Sequence, residues 1–291
     1  MGCNTATSII AMGIADGGNT IGDFAFSACN NLISVEISTT VTTIGYAAFY
    51  STTSITSITI PSSVTTIGES AFAFCLLLVI ISIPTTVTSI SKETFSACIG
   101  LTTIELPNSV ITIGDSAFAG CNNLITVIIP SSVTTIGAAA FNSCSRLLSV
   151  IIPNSVTNLG YGAFFQCTGL KSVVISNSVT RIGGSTFKGC SSLISVTIPR
   201  SVTAIDVRAF ESCTSLDSVR IPNSVQSIGA YAFLMCTSLQ KVYLECNGVP
   251  ADRNNLFPDS PNSLVIVNDC FPTFEPTAVP TGKYPYLLYL L

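Results

Sequence analysis

The twelve cysteines are the residues whose type and spacing could do chemistry, and the chain has no histidine to assist them. Without histidine it lacks the Ser-His-Asp and Cys-His nucleophile pairs, histidine-ligated zinc and the commonest general base. The sequence also shows no carboxylate pair, glycine-rich phosphate loop or other nucleophile–base set that would share one pocket. We therefore predict that the protein is not an enzyme, with no catalytic residue and no cofactor.

Nine of the cysteines occupy one position of a 23-residue period, which we call the cysteine file. The file consists of Cys29, Cys75, Cys98, Cys121, Cys144, Cys167, Cys190, Cys213 and Cys236. Stacked neighbours would hold their Cβ atoms about 4.8 Å apart with parallel vectors, whereas a disulfide needs about 3.8 Å. The spacing therefore predicts buried free thiols. Cys246 and Cys270 lie outside the file and are the candidate disulfide pair. We predict no metal site, because there is neither a C-x-x-C pair nor a second ligand type.

Phenylalanine keeps the same period, and this defines the elements that must position every other residue. It recurs at Phe26, Phe49, Phe72, Phe95, Phe118, Phe141, Phe164, Phe187, Phe210 and Phe233. Ten units without insertion or deletion run from Ile9 to Ser238. One unit cannot bury its apolar residues alone, but stacked units can, so the period predicts a solenoid.

Each unit follows the pattern L-x-x-V-x-I-P-x-x-V-x-x-I-G-x-x-A-F-x-x-C. Its first part has strand spacing, so Val127 and Ile129 should point inward while Thr126 and Ile128 point outward. The S-V-T-T-I-G part predicts a second short strand, with glycine supplying the backbone conformation of the corner. The A-F-x-x-C part predicts a turn or a short helical stretch.

This unit resembles the 23-residue leucine-rich repeat of BspA-like surface antigens, over residues 9–244. The resemblance implies a right-handed, curved leucine-rich-repeat solenoid with a parallel sheet on its concave face. It also implies a surface or secreted protein that adheres to host proteins, matrix or cells, without catalytic residues in the repeats. Thr52 stands where the file expects cysteine. Any ladder at the position of the stacked asparagines of many leucine-rich repeats must use hydroxyls, such as those of Ser63 and Ser109.

The ends divide the chain into further parts. We expect an N-terminal lead-in at 1–8, the solenoid at 9–244, a degenerate C-terminal cap at 245–270 and a tail or linker at 271–291. Within the cap, Leu256 keeps the phenylalanine phase, and residues 264–267 predict a final, slightly shifted strand.

The candidate ligand-binding residues are those that strand alternation directs outward on the main sheet, because such side chains form one continuous face. Ile128, Ile151 and Val174 would form an exposed apolar strip, which often marks an interaction site. The alternative is that β-branched residues simply suit exposed strands. The C-terminal part of the face adds polar and aromatic candidates, namely Lys171, Asp217, Arg220, Gln240, Lys241 and Tyr243.

Composition excludes several classes of partner. A net charge of −4 gives no reason to expect nucleic acid. Mean hydropathy is +0.64, yet no apolar run approaches the roughly 20 residues of a spanning helix, so we predict no membrane insertion. Acidic residues concentrate in the first half and basic ones in residues 146–245. The protein should be a monomer or associate weakly end to end.

These observations together predict a non-enzymatic binding module that recognises protein or glycan through its concave face. The resemblance favours an adhesin-like protein, at the cell surface or secreted as part of a longer precursor. An intracellular, cytoplasmic interaction scaffold is the first alternative, since residues 1–8 leave little room for a signal peptide. A structural protein that assembles end to end is the second.

Overall fold

The computed structural model describes residues 18–245, 257 and 265–269 of the chain. Over these residues the chain forms a solenoid of 23-residue coils, each with two strands and no helix. The longer strands are β2 (Ser34–Glu36), β4 (Ser57–Thr59), β6 (Ile80–Ser82), β8 (Thr103–Glu105), β10 (Thr126–Ile128), β12 (Ser149–Ile151), β14 (Ser172–Val174), β16 (Ser195–Thr197), β18 (Ser218–Ile221), β20 (Lys241–Glu245) and β21 (Val265–Asp269). The two-residue strands are β1 (Thr20–Ile21), β3 (Thr43–Ile44), β5 (Thr66–Ile67), β7 (Ser89–Ile90), β9 (Thr112–Ile113), β11 (Thr135–Ile136), β13 (Asn158–Leu159), β15 (Arg181–Ile182), β17 (Ala204–Ile205) and β19 (Ser227–Ile228).

All strand pairs are parallel, and they join equivalent strands of neighbouring coils. Ser172, for example, lies opposite Ser195 of the next coil. The longer strands form the surface we call the main sheet, in three hydrogen-bonded segments: β2–β4–β6, β8–β10 and β12–β14–β16–β18–β20–β21. The two-residue strands form a second surface, also in three segments. The predicted parallel leucine-rich-repeat solenoid is therefore confirmed.

Burial follows the predicted alternation. In β10, Val127 is buried between exposed Thr126 and Ile128, and Ile129 is buried after them. The second extended piece of the unit is also confirmed, since each S-V-T-T-I-G segment contributes a two-residue strand such as β11.

The core contains a continuous ladder of phenylalanine rings. Phe141 is fully buried, and its ring centroid lies 5.3 Å from those of Phe118 and Phe164, with interplanar angles of 8° and 3°. Near-parallel rings at this separation are offset-stacked, a favoured arrangement for aromatic pairs. The ladder begins at Phe26 and ends at Phe257, which packs on Phe233 at 5.3 Å and is tilted by 36°.

The last coil is one residue longer than the others. Phe257 takes the ladder position after Phe233, one place later than the period predicts, and β21 pairs with β20 with the same shift, Lys241 opposite Val265. The predicted final strand is thus present and shifted. Leu256, which keeps the 23-residue phase, lies outside the described residues, and the ladder position belongs to its neighbour Phe257.

The A-F-x-x-C segment is a turn and contains no helix. Alternate N–H groups donate to carbonyls of the next coil instead of to their own turn, as in Ala139 N–H to Tyr161 O at 2.8 Å and Phe141 N–H to Ala163 O at 2.8 Å. From Phe26 to Phe233, the residues two places before and two places after each ladder phenylalanine have positive φ, for example Ala139 at 53° and Ser143 at 60°. This conformation costs an L-residue about 1–2 kcal/mol. The bonds between coils offset that cost.

The glycine that follows the second strand has a different role from the predicted one. Gly137 is not at positive φ; it lies where two coils approach closely. A Cβ on Gly137 would lie 2.5 Å from the backbone nitrogen of Asp115 and 2.6 Å from the carbonyl carbon of Gly114. Gly162, by contrast, sits at φ +59° with only the Cβ of Phe165 nearby, at 3.5 Å.

These two glycines should respond differently to alanine. Gly137→Ala forces the backbones of two coils apart, so we expect a loss of about 3 kcal/mol in the free energy of unfolding, near the upper range for overpacking. Gly162→Ala should cost about 1 kcal/mol, because Ala139 already adopts the equivalent conformation one coil earlier. Urea unfolding followed by circular dichroism measures both. Equal losses would contradict the close-approach explanation.

Candidate functional site

The cysteine file is a set of hydrogen-bond donors. Each described thiol from Cys75 onward donates to the carbonyl of the ladder phenylalanine of the previous coil, at 3.1–3.3 Å. Thr52, which replaces cysteine in this position, makes the same bond, with its Oγ1 donating to Phe26 O at 2.7 Å. The position therefore needs a small buried donor. The sequence did not indicate the acceptor, although Thr52, a residue with a hydroxyl, was a signal that a donor is needed.

Burial makes these thiols unreactive. It raises the pKa of Cys75, Cys121 and Cys236 to about 12, well above the ordinary value of 9.0. Because the thiolate is the nucleophile and the metal ligand, a buried neutral thiol serves neither role. Among the described residues, no group of three or more histidine, cysteine, aspartate or glutamate side chains could hold a metal ion.

The prediction of free thiols is confirmed for eight members of the file and wrong for the first. Cys75 and the seven file members after it are free and buried, whereas Cys29 is disulfide-bonded. Cys29 differs from the others in its sequence context, because the residue 26 places before it is cysteine instead of phenylalanine. Cys246 and Cys270 lie outside the described residues, so their pairing stays a prediction.

The outward face of the main sheet carries the predicted apolar strip. Ile128, Ile151 and Val174 are 62%, 54% and 56% exposed. Ile151 and Val174 lie opposite each other in paired strands, β12 and β14. Ile128 belongs to β10, in the preceding hydrogen-bonded segment, where its partner is Glu105. Exposed apolar side chains thus stand on three consecutive coils.

The C-terminal part of the face brings Arg220 and Tyr243 together. They are direct register partners in β18 and β20, and the Arg220 guanidinium lies over the Tyr243 ring, 5.0 Å from its centroid. Lys241 lies on β20, opposite Ser218 of β18. Arg220 and Lys241 are exposed, while Tyr243 is half-buried.

The remaining candidates lie one residue before their strands, at the edge of this face. Asp217 and Gln240 occupy adjacent coils, and the backbone N–H of Gln240 donates to the carbonyl of Asp217 at 2.8 Å. Lys171 lies two coils before Asp217, with Ile194 between them. The structure therefore groups Asp217, Gln240 and the Arg220–Tyr243 pair, and separates Lys171 from them.

Sequence reasoning did not single out some exposed apolar residues on this side of the molecule. Ile80 in β6 is 67% exposed, and Ile194, at the edge position, is 51% exposed. The signal of Ile80 was present in the sequence, because every other coil carries serine, threonine or lysine at its position. Ile194 had no such signal, since half of the coils carry an aliphatic residue at its position. None of the described residues forms a helix that could cross a membrane.

The fold and the outward face of the main sheet together define a class of protein. It is a parallel solenoid of leucine-rich repeats that presents one long ordered surface. The family model described as BspA type leucine-rich repeat region, in six copies, matches residues 3–88, 75–192 and 163–265. The chain belongs to this family, and the predicted resemblance is confirmed.

Several solved structures are similar to the chain. A leucine-rich repeat protein from Bacteroides ovatus is 29% identical, covers 87% of this chain and 76% of its own, and has a TM-score of 0.58. Another, from Eubacterium ventriosum, is 24% identical with coverages of 91% and 84% and a TM-score of 0.56. The pneumococcal vaccine antigen PcpA is 18% identical with coverages of 87% and 77% and a TM-score of 0.53. The last two likenesses show the fold alone. A search of curated proteins finds no match.

Proposed function

We propose that this protein is a non-enzymatic, adhesin-like binding module that recognises a protein through the outward face of its main sheet. The observation that carries the proposal is the Arg220–Tyr243 pair, preorganised at 5.0 Å on adjacent exposed strands. Arginine and tyrosine are the types that most often anchor protein interfaces. A side chain that is already held in place loses less entropy on binding.

The apolar strip supports the same face. Ile128, Ile151 and Val174 extend along the sheet over three coils, and Thr197 separates them from the Arg220–Tyr243 pair. An interface core that is apolar beside an aromatic and arginine cluster is the usual composition of protein-binding surfaces. Glycan is the alternative ligand class of this face, with Tyr243 as its aromatic surface.

A location outside the cytoplasm is part of the proposal. Membership of the BspA-type repeat family supports it, since the resemblance drawn from the sequence was to surface antigens. The disulfide at Cys29 supports it independently, because disulfides persist in oxidising compartments. The file thiols are compatible with such a compartment because they are buried and held by Phe carbonyls.

The binding prediction concerns the double variant Arg220→Ser, Tyr243→Ser. Serine is already common on this face, as at Ser195 and Ser218, so the fold should be unchanged within about 0.5 kcal/mol. Affinity for the partner should fall at least tenfold, or about 1.4 kcal/mol. We would measure it by biolayer interferometry against a panel of purified matrix proteins: fibronectin, fibrinogen, laminin and collagen.

Tyr46→Ser is the control, since Tyr46 is exposed but lies on a turn away from the main sheet. Unchanged affinity in the double variant would move the site away from this pair, and Ile151→Lys would then test the apolar strip. If the native chain bound none of the matrix proteins, the adhesin-like function would be wrong.

A further inference from the structure

A pocket lies away from the main sheet, on the surface formed by the turns around the phenylalanine ladder. It has a volume of about 290 Å³. Small residues at equivalent positions of three successive coils, Ala139, Gly162 and Ser185, line it. The rest of its lining is larger side chains of these and the following turn, namely Asn142, Tyr161, Phe165, Lys188 and Arg208. The depression therefore arises where the repeat has small residues flanked by large ones.

The pocket carries two positive charges that are held in place by a single carboxylate. The Lys188 ammonium lies 3.1 Å and the Arg208 Nε 3.5 Å from the same oxygen, Oε2 of Glu211. Glu211 is 9% exposed, so it anchors both cations from below. Two positive charges facing one buried carboxylate leave an excess of one positive charge at the pocket, which favours an anionic ligand.

The same two cations also lie over aromatic rings. The Lys188 ammonium lies 6.0 Å from the Phe165 ring centroid, and the Arg208 guanidinium lies 5.7 Å from that of Tyr231. Tyr161 is 63% exposed, so much of its ring is open to a ligand. Its hydroxyl is 3.1 Å from the Ser185 hydroxyl, which orients the ring at the rim of the pocket.

We infer that this pocket binds an acidic saccharide unit, such as a uronic acid residue of a glycan. The ligand's carboxylate would meet Arg208 and Lys188, in the charge-assisted pairing that arginine forms with carboxylates. The apolar face of the sugar ring would pack on Tyr161, and its hydroxyls would bond to Asn142. A few converging polar groups beside an aromatic surface are what a small-ligand pocket requires.

A simple anion such as phosphate fits these observations less well. It would use the charge but leave the exposed Tyr161 ring without a partner. An acidic peptide side chain would also lack the ring face and hydroxyls that Tyr161 and Asn142 could contact. The combination of one excess charge, an open aromatic ring and neutral hydrogen-bonding groups favours the sugar acid.

The test compares two sugars that differ only at the carboxylate. Methyl β-glucuronide and methyl β-glucoside would be titrated into the full chain, with binding followed by isothermal calorimetry and saturation-transfer NMR. We expect the glucuronide to bind at least fivefold more tightly than the glucoside. Tyr161→Ala and Arg208→Ser should each weaken glucuronide binding at least tenfold.

The repeat itself provides variants that should fold normally. Alanine occupies the position of Tyr161 one coil earlier, at Ala138, and serine occupies the position of Arg208 one coil earlier, at Ser185. Tyr46→Ala is the matched control, since Tyr46 has the same repeat position as Tyr161 but lies outside the pocket, beside Phe24. It should leave binding unchanged.

Several outcomes would overturn the inference. Absence of glucuronide binding would do so, as would equal affinities for the two sugars or insensitivity to both pocket variants. Tighter binding of N-acetyl-glutamate N-methylamide than of the glucuronide would assign the pocket to acidic peptides instead. None of these results bears on the main sheet, because the Arg220–Tyr243 variant is tested separately.

Discussion

Raising the pH from 8 to 11 is expected to destabilise the solenoid by about 8 kcal/mol through three of its buried thiols alone. Burial raises the pKa of Cys75, Cys121 and Cys236 from 9.0 to about 12. In the unfolded chain these thiols ionise from about pH 9, whereas the fold keeps them neutral. The folded-state pKa is the raised one, so their stabilising contribution is complete below pH 9 and is lost as the pH rises towards 12. Each thiol accounts for about 1.4 kcal/mol per pH unit between pH 9 and pH 11.

A loss of that size is comparable with the whole stability of an ordinary domain. Equilibrium urea unfolding at pH 8, 9, 10 and 11, with a reductant that prevents oxidation of exposed thiols, would measure it. The free energy of unfolding should fall only slightly with pH below 9 and steeply above it. Burial also raises the pKa of four further file thiols, Cys98, Cys144, Cys190 and Cys213, which makes this fall steeper.

Threonine provides the matched control, because Thr52 makes the same hydrogen bond to a phenylalanine carbonyl and does not ionise in this range. The triple variant Cys75→Thr, Cys121→Thr, Cys236→Thr should lose about 8 kcal/mol less between pH 8 and pH 11 than the native chain. If both proteins lost stability equally, the thiols would have no part in the alkaline transition.

The file also indicates how far a repetitive sequence predicts its own structure. The period alone placed each cysteine beside its neighbour and predicted free thiols, because stacking geometry follows from the repeat. It could not identify the acceptor, since a bond from Cys144 to Phe118 O depends on how the turn directs one carbonyl. Cys29 is the exception, and the residue 26 places before it is cysteine where the other file members have phenylalanine.

The turns were predicted least well, for a physical reason. Ala139 and Ser143 adopt positive φ, a conformation that their residue types do not indicate. Only occasional glycines, such as Gly120 and Gly162, mark these positions in the sequence. Local propensity is overridden here by hydrogen bonds between coils, which exist only once the coils stack.

The candidate sites also include residues that the sequence predicted and residues that it did not. Strand alternation correctly predicted that Arg220 faces outward beside Tyr243, because a period of two and a period of 23 fix both direction and neighbour. The pocket above Gly162 was not foreseen. It depends on side chains of three coils, Tyr161, Lys188, Arg208 and Glu211, whose types depart from the repeat without any common pattern.

Replacing the central ring of the ladder is the second large effect that we expect. Phe141→Ala should lower the free energy of unfolding by about 3–5 kcal/mol, the usual range for a buried phenylalanine. Phe141 is fully buried and contacts ladder rings on both sides, each at 5.3 Å. Alanine would leave a cavity that neighbouring rings cannot fill, because Phe118 and Phe164 are held by their own turns.

The variant should also destabilise the neighbouring coils, since stability in a repeat protein is shared between nearest neighbours. Hydrogen exchange should show weaker protection first at the bonds joining the coils of Phe118, Phe141 and Phe164, such as Phe118 N–H to Ala140 O. Phe74→Ala is the control, because Phe74 is 42% exposed and outside the ladder. Phe74→Ala should lower the free energy of unfolding by much less than Phe141→Ala does. A loss under about 1 kcal/mol for Phe141→Ala would mean that the ring faces solvent, since burial of a phenylalanine alone contributes more than that. The ladder could not then be what joins one coil to the next.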